Sequence, residues 1–422
     1  MVKIITKLLR RESHVSWALL DQALVSGVNF LTSILLARYL GLAEYGRLTL
    51  AWMAVLFFNS LQVAAIISPM MSIGPKQAES QVAKYYGAVF LNQLLWSTAS
   101  FFLLLIGMWL SKFFRPEWNV QDLAFPLAAA LATYQLQDFL RRYFFVQGSA
   151  ALAFLNDVIS YFGQLFLLVI LFLYTEIDAK MALWVIAGTS LAAVATGIFS
   201  LGNLQFAQND LTRISLQHWQ FSKWLLGSAV MQWTSGNYFL VVAGGVLGAS
   251  TVGAIRAAQN IFGMTHVLFQ GLENVVPVKA SLHYAKGGMD ALIKYLKQVT
   301  YLAGGATLLI VLAIVTAPEF WLSIFYGKQF ADFGYLLNWF GPIYILIFIG
   351  LPLRTALKSL EYTKVSFLAY LAMTLFSLSF AYPMINLFSE NGVMLGILIT
   401  QIISVIVTSI LLKSRMKVLV IT

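Results

Sequence analysis

Between Gly253 and Pro277 the chain carries more polar chemistry than a membrane-crossing segment needs. Arg256, Gln259, Asn260, Gly263, His266, Gln270, Glu273 and Asn274 recur every three or four residues, which places them on one face of a helix. Ile255, Ala258, Ile261, Phe262, Leu268, Phe269, Leu272 and Val276 fall on the other face. The second face suits lipid or a packed bundle, whereas the first calls for water or a polar ligand. The pattern alone also describes an amphipathic helix lying flat on a bilayer, or hydrogen-bonding glue between helices. Hydrophobic segments on both sides argue for a spanning helix. Six polar side chains alongside an arginine favour a wet, cavity-lining face.

The elements that must hold this stripe follow from composition. The 422 residues are 60% hydrophobic and 10% charged, with a mean hydropathy of +0.80. Soluble domains carry about 25% charged residues, so the pattern is that of a polytopic membrane protein. Twelve spans leave about 35 residues each, enough for a helix of about 20 residues and a short loop. No length remains for a folded soluble domain. The absence of cysteine excludes disulfides and thiolate metal sites.

The expected spans are 16–38, 48–68, 86–110, 122–140, 152–174 and 181–201, then 223–246, 253–276, 298–317, 335–355, 364–385 and 392–412. The stripe thus lies on the eighth. A polar linker at 202–222 separates an N-terminal lobe, 1–201, from a C-terminal lobe, 223–422. With the N-terminus inside, 20 of the 27 Lys and Arg residues fall on the inner side and seven on the outer side. This bias predicts a multi-pass protein of the cell (cytoplasmic) membrane with both termini in the cytoplasm. The net charge of +10 therefore reports topology, and no nucleic-acid partner is needed to explain it. The apolar run from Trp17 to Ala37 is too long for a signal peptide and is read as the first span.

The two lobes repeat one another. Trp17, Leu40-Gly41 and Gly46 recur 207 residues later as Trp224, Leu247-Gly248 and Gly253, and Pro69 recurs as Pro277 after 208. Trp109-Leu110-Ser111 recurs as Trp321-Leu322-Ser323 after 212. Leu140-Arg141 and Phe154-Leu155 recur as Leu353-Arg354 and Phe367-Leu368 after 213. The order is shared, and the offset grows only through loops. An offset of six spans preserves orientation, so the halves are parallel repeats. Transporters use such symmetry to place a site between two lobes and rock one against the other. The expected fold is therefore all-α and integral to the membrane, with about twelve helices in two pseudo-symmetric six-helix lobes around a central cavity.

Ala37-Arg38-Tyr39-Leu40-Gly41 with Glu44-Tyr45-Gly46 resembles the first outer turn of polysaccharide (O-antigen-type) lipid flippases, relatives of the multidrug and toxin antiporters. Val252-Gly253-Ala254 with Ala257-Ala258 resembles that family's entry into helix eight, and Phe325-Tyr326-Gly327 with Phe330 its loop after helix nine. The motifs are short, while the architectural likeness covers nearly the whole chain. The resemblance implies a flippase for a polyprenyl-pyrophosphate oligosaccharide in surface polysaccharide biosynthesis. Its partners would be the bilayer, that glycolipid and other polysaccharide-assembly proteins, and one twelve-helix bundle suffices as a monomer.

Such a cargo needs cations and hydrogen-bond donors, and arginine suits phosphate through its planar fork. Arg256 is the first candidate, against snorkelling to the outer headgroups. Arg38 is the second, against interfacial anchoring or an ion pair with Glu44. Arg354 is the third, against the positive-inside bias that accounts equally for its repeat partner Arg141. Gln259, Asn260, Gln270 and Asn274 on the stripe, Asn29 on the first span, and Gln232 and Asn237 on the seventh would share the site. Asp21, Asp157 and Glu273 are acidic residues within or near hydrocarbon, where they either carry a coupling ion or form salt bridges at the inner headgroups. That ion, a proton or sodium, is the one cofactor expected. His266 is more simply a hydrogen-bonded helix contact than a relay. Pro126, Pro342 and Pro352 are expected to bend the fourth and tenth helices.

No catalytic constellation, nucleotide motif or metal set appears, so an enzyme is not expected. The alternatives are an ion-coupled multidrug cation antiporter on the same scaffold, which would want outer carboxylates where this chain has arginine, and a membrane-embedded glycan-assembly enzyme, for which the outer loops are short.

Overall fold

The computed structural model describes residues 2–114, 120–206, 208–360 and 364–421. It leaves undescribed the side chains of 2–16, 18–19, 114, 208–209, 264, 266–267, 270–271, 274, 358, 364–366 and 415–421. Among the described residues the structure is helical throughout, with no strand. Among the described residues, seven helical stretches are long and apolar enough to cross a membrane, and three of them, 20–76, 275–315 and 367–414, run to 41 residues or more. The chain is a multi-pass membrane protein. Leu173, Leu302, Leu309 and Leu387 turn their side chains outward, as helices facing lipid must.

The long stretches are interrupted where the backbone leaves helical geometry, at Gly41 (φ 74°, ψ 176°), at Gly287-Gly288 (φ 62° at Gly288) and at Ser389 (φ 52°). Cut there, the described residues give twelve helices: α1 (2–40), α2 (42–73), α3 (Glu79–Phe114), α4 (Ala124–Val146), α5 (150–174), α6 (Ala179–Phe199), α7 (Gln208–Val246), α8 (249–286), α9 (289–315), α10 (Tyr335–Ser359), α11 (364–388) and α12 (390–421). A short helix, Pro318–Tyr326, and a 3-10 turn, Lys328–Phe333, fill the loop after α9.

One pair of repeat positions shares a backbone conformation. Gly41 and Gly248, 207 residues apart, adopt nearly the same conformation, φ 74° and ψ 176° against φ 92° and ψ 170°. Side chains rarely tolerate that region, so glycine is required at both helix breaks.

Contacts divide the chain into two compact units, 1–40 with 47–230, and 41–46 with 231–422. In the first unit, Ile66, Met70, Tyr85, Val89, Phe139, Phe144 and Ile214 form a buried core. Gln62, Gln93 and Gln135 add a buried polar knot: the Gln62 amide donates to Gln93 Oε1 (3.1 Å) and to the Gln135 carbonyl (2.8 Å). Two π-helical turns, Val63–Ile67 and Val158–Phe162, interrupt α2 and α5. In the second unit, residues 41–46 pack on the start of α8. A Cβ on Gly46 would overlap the Ala249 carbonyl oxygen, and one on Gly253 would come 2.6 Å from the Leu42 carbonyl oxygen.

Two local expectations are corrected. Pro126 lies in the first turn of α4, not in its interior; there its missing N–H has no helical acceptor to lose, so it does not bend the helix. Pro69 does not end α2, which continues to Ile73 with a π turn just before the proline. Pro342 and Pro352 are inside α10 as expected. The segment expected to be a linker is largely helical from Gln208 and runs without interruption into the seventh span.

Candidate functional site

Two groups of polar side chains stand out, one in each unit. In the second unit, α8 presents Arg256, Gln259 and Asn260, all half-buried. Arg256 Nη1 donates to Gln259 Oε1 at 2.7 Å, a pair three residues apart on one helix face. Asn260 Nδ2 donates to the Tyr45 hydroxyl at 3.1 Å, and the Tyr344 hydroxyl to the Gln259 carbonyl at 3.4 Å. Tyr45 also packs edge-on against Phe330, which Tyr326 contacts in turn. The three resembled motifs thus support one polar row, the first turn through Tyr45 and the later loop through Phe330. Among the described residues, Arg256 is paired with no carboxylate.

Arg38, Asn29 and Gln232 are exposed. Asn237 turns back on its own helix, donating to the Trp233 carbonyl at 3.0 Å. Arg354 is half-buried on α10. The side chains of Gln270, Asn274 and His266 lie outside the described residues.

The second group belongs to the first unit and centres on Arg141 of α4. Its Nη2 is 2.5 Å from Asp21 Oδ2 on α1, and its Nε is 2.6 Å from Asp157 Oδ2 on α5. Asp21 and Asp157 are 1% and 0% exposed, and both carboxylates meet the one guanidinium. Gln137, one turn before Arg141, donates to Asp157 Oδ1 at 2.7 Å and to Asn156 Oδ1 at 3.0 Å. Asn156 Nδ2 in turn donates to the Ala193 carbonyl of α6 at 2.7 Å. Arg142 closes on Asp138 at 3.0 Å, and Tyr134 and Tyr161 line the same region. Asp157 occupies the last residue before the π turn of α5, a feature that often marks functional positions.

The structure therefore joins two of the three acidic candidates through an arginine that sequence reasoning assigned to topology. Glu273 is exposed in the other unit and has no part in that cluster. The signal that could have singled out Arg141 was its position four residues after Gln137, in a helix whose partners carried isolated acids. Among the described residues, no group of His, Cys, Asp or Glu has the makings of a metal site.

The all-helical fold of the described residues is shared with solved membrane transporters. The inward-facing conformation of a multidrug resistance MATE family transporter superimposes with a TM-score of 0.72 at 16% identity, over 95% of this chain and 96% of that one. The lipid II flippase MurJ, in an inward closed conformation, gives 0.69 at 14% identity over 94% and 87%. A MOP superfamily transporter from Pyrococcus furiosus, described by the reversed polarity of its binding pocket, gives 0.63 at 16% identity over 96% of both chains. In sequence, the profile of the MatE family matches residues 225–383, and no curated protein matches the chain. At these identities the likeness establishes the fold. The solved relatives are described as transporters or as a flippase, and the cargo is a question for the side chains.

Proposed function

We propose that the chain is a flippase that moves a lipid-linked oligosaccharide, carried on a polyprenyl pyrophosphate, from the inner to the outer leaflet by alternating access, for assembly of a surface polysaccharide. The observation that carries this reading is Arg256, half-buried on α8 and, among the described residues, hydrogen-bonded through its guanidinium to Gln259. One of its five donors is used, and the rest of the planar fork suits an oxyanion. Among its described residues the second unit buries hydroxyls and no carboxylate. A pocket for cationic drugs calls for the opposite charge, which weighs against the antiporter.

Coupling is assigned to the first unit. With both acids ionised, Asp21, Asp157 and Arg141 sum to one negative charge, and burying a net charge is costly. One proton makes the set neutral and accounts for two buried carboxyl groups on a single guanidinium. A proton fits better than sodium, because Arg141 and Gln137 already occupy carboxylate oxygens that a metal ion would need.

The test is a lipid extract from cells lacking the gene, labelled with radioactive sugar. A prenyl-linked oligosaccharide should accumulate while the surface glycan is lost. Restoring the gene with Arg256→Ala and Gln259→Ala should leave folded protein in the membrane and no export. Unchanged glycolipids with heightened sensitivity to cationic dyes would overturn the reading in favour of drug export.

A further inference from the structure

The two repeats treat one arginine differently. Arg141 and Arg354 are equivalent, 213 residues apart on α4 and α10. Around Arg141 the first unit supplies Asp157 and Asp21 as counter-charges and Gln137 to hold Asp157. At the same offset the second lobe has Tyr370 in place of Asp157 and Gly350 in place of Gln137. At the offset that relates Trp17 to Trp224, Asp21 becomes Ser228. All three partners have changed and the arginine remains.

The structure shows what the arginine does without them. Its guanidinium folds back along α10 onto Gly350, where an added Cβ would sit 2.7 Å from Nη1. The space that Gln137 fills in one repeat is taken by the arginine itself in the other. Tyr370 stands within electrostatic reach of Arg354 and also of Glu273. Among the described residues, no carboxylate oxygen lies within 4.0 Å of Arg354. The side chain is half-buried near the end of a span, the end that the charge bias assigns to the cytoplasm. A guanidinium with no described carboxylate oxygen within 4.0 Å, in that setting, suits an anion from outside the protein.

We propose that Arg354 is a phosphate-binding residue for a membrane lipid, released for that role by loss of the carboxylates that neutralise Arg141. It rests on the exporter reading for its preferred ligand, the phosphate of the prenyl-linked cargo as it loads from the inner leaflet. The same chemistry is offered by bulk phospholipid headgroups. Arg141, by contrast, is spent on its own lobe and binds no lipid phosphate.

The experiment uses the full chain in nanodiscs of phosphatidylcholine, titrated separately with undecaprenyl phosphate and with phosphatidylglycerol, and read by native mass spectrometry. Arg354→Gln should weaken undecaprenyl phosphate binding by about tenfold or more, and Arg354→Lys should recover part of it, since a point charge lacks the fork. Tyr370→Asp restores the counter-charge of the first repeat and should weaken binding as Arg354→Gln does, while leaving the thermal midpoint unchanged or higher. Loss confined to undecaprenyl phosphate identifies the cargo, whereas equal loss for both lipids identifies a headgroup site. Wild-type affinity for both lipids in both Arg354→Gln and Tyr370→Asp would overturn the proposal. Binding is read without transport, so this failure is separable from failure of the exporter reading in cells.

Discussion

The helix that leads into the seventh span makes a quantitative prediction at His218. Residues 208–222 lie outside the candidate spans, yet His218 is 4% exposed. Its Nε2 shares a hydrogen bond of 2.9 Å with the Tyr85 hydroxyl, and its Nδ1 has no partner among the described residues. Around it, Ser215 donates to Asn92 Oδ1 (2.9 Å), Ser222 to the Ala65 carbonyl (3.3 Å) and the Gln205 amide to the Ala83 carbonyl (3.0 Å). Burial pushes the imidazole down from 6.5 to about 4. A histidine held neutral in the docked state and free to protonate in the open state contributes nothing adverse above pH 6.5. As pH falls from 6.5 toward 4 the open state gains a proton that the docked state refuses, and docking weakens. At pH 4.5 the deficit is roughly 2–3 kcal/mol, or about 30- to 150-fold in the opening constant. Hydrogen exchange of peptides covering 208–222, corrected for intrinsic rates, should show that acceleration between pH 7.5 and 4.5. His218→Asn should abolish most of it, leaving only what the Asp210–Arg213 ion pair (2.8 Å) and other carboxylates contribute. An equal acceleration in wild type and variant, or none in wild type, would refute the buried-imidazole argument.

The charge count around Arg141 separates two substitutions of similar size. Asp21→Asn leaves a neutral Arg141–Asp157 pair, so thermal stability should move by less than about 1 kcal/mol while transport in proteoliposomes loses its response to an imposed pH gradient; Arg141→Gln strands two buried carboxylates and should cost about 3–5 kcal/mol. A pH-responsive Asp21→Asn protein would remove the proton from the coupling scheme. At the first turn, Gly46→Ala forces a methyl group into the Ala249 carbonyl and should destabilise by about 1–3 kcal/mol. Gly27→Ala, with nothing within 4 Å of the new Cβ, is its control, and equal melting temperatures for the two would show that the backbones at 46 and 249 have room to part.

Helix number and punctuation were legible because they depend on local rules. Apolar runs set the spans, and Leu40-Gly41 and Leu247-Gly248 mark breaks that only glycine makes comfortably. The polar row on α8 was legible in part, since Arg256 and Gln259 are three residues apart on one helix and meet whatever surrounds them. What escaped was pairing across helices. Asp21, Arg141 and Asp157 are separated by 120 and 16 residues, and no periodicity links them, so each took the explanation available to it alone. The positive-inside bias absorbed Arg141, and the inner headgroups competed for the acids. The glutamine knot of Gln62, Gln93 and Gln135 was invisible for the same reason, because a single glutamine in an apolar run announces no partner. Pro126 was misplaced by two residues of boundary uncertainty, which is all that separates a helix's first turn from its interior.

The divergence of the two repeats bears directly on the choice between cargo classes. Both lobes carry an arginine at the same repeat position; the first encloses its copy in carboxylates, while in the second no described carboxylate oxygen lies within 4.0 Å. The second also carries Arg256 in a row of amide and hydroxyl groups, and among its described residues buries no acid. A duplication that served cation export would gain from the reverse, with acids kept wherever a drug must bind and arginines neutralised beside them. The lobe with buried acids has instead locked them onto Arg141, where a cationic guest would have to displace a guanidinium held on two sides. Among the described residues, the first lobe thus holds its buried acids against a guanidinium, and the second carries Arg256 and Arg354 with no carboxylate paired to either.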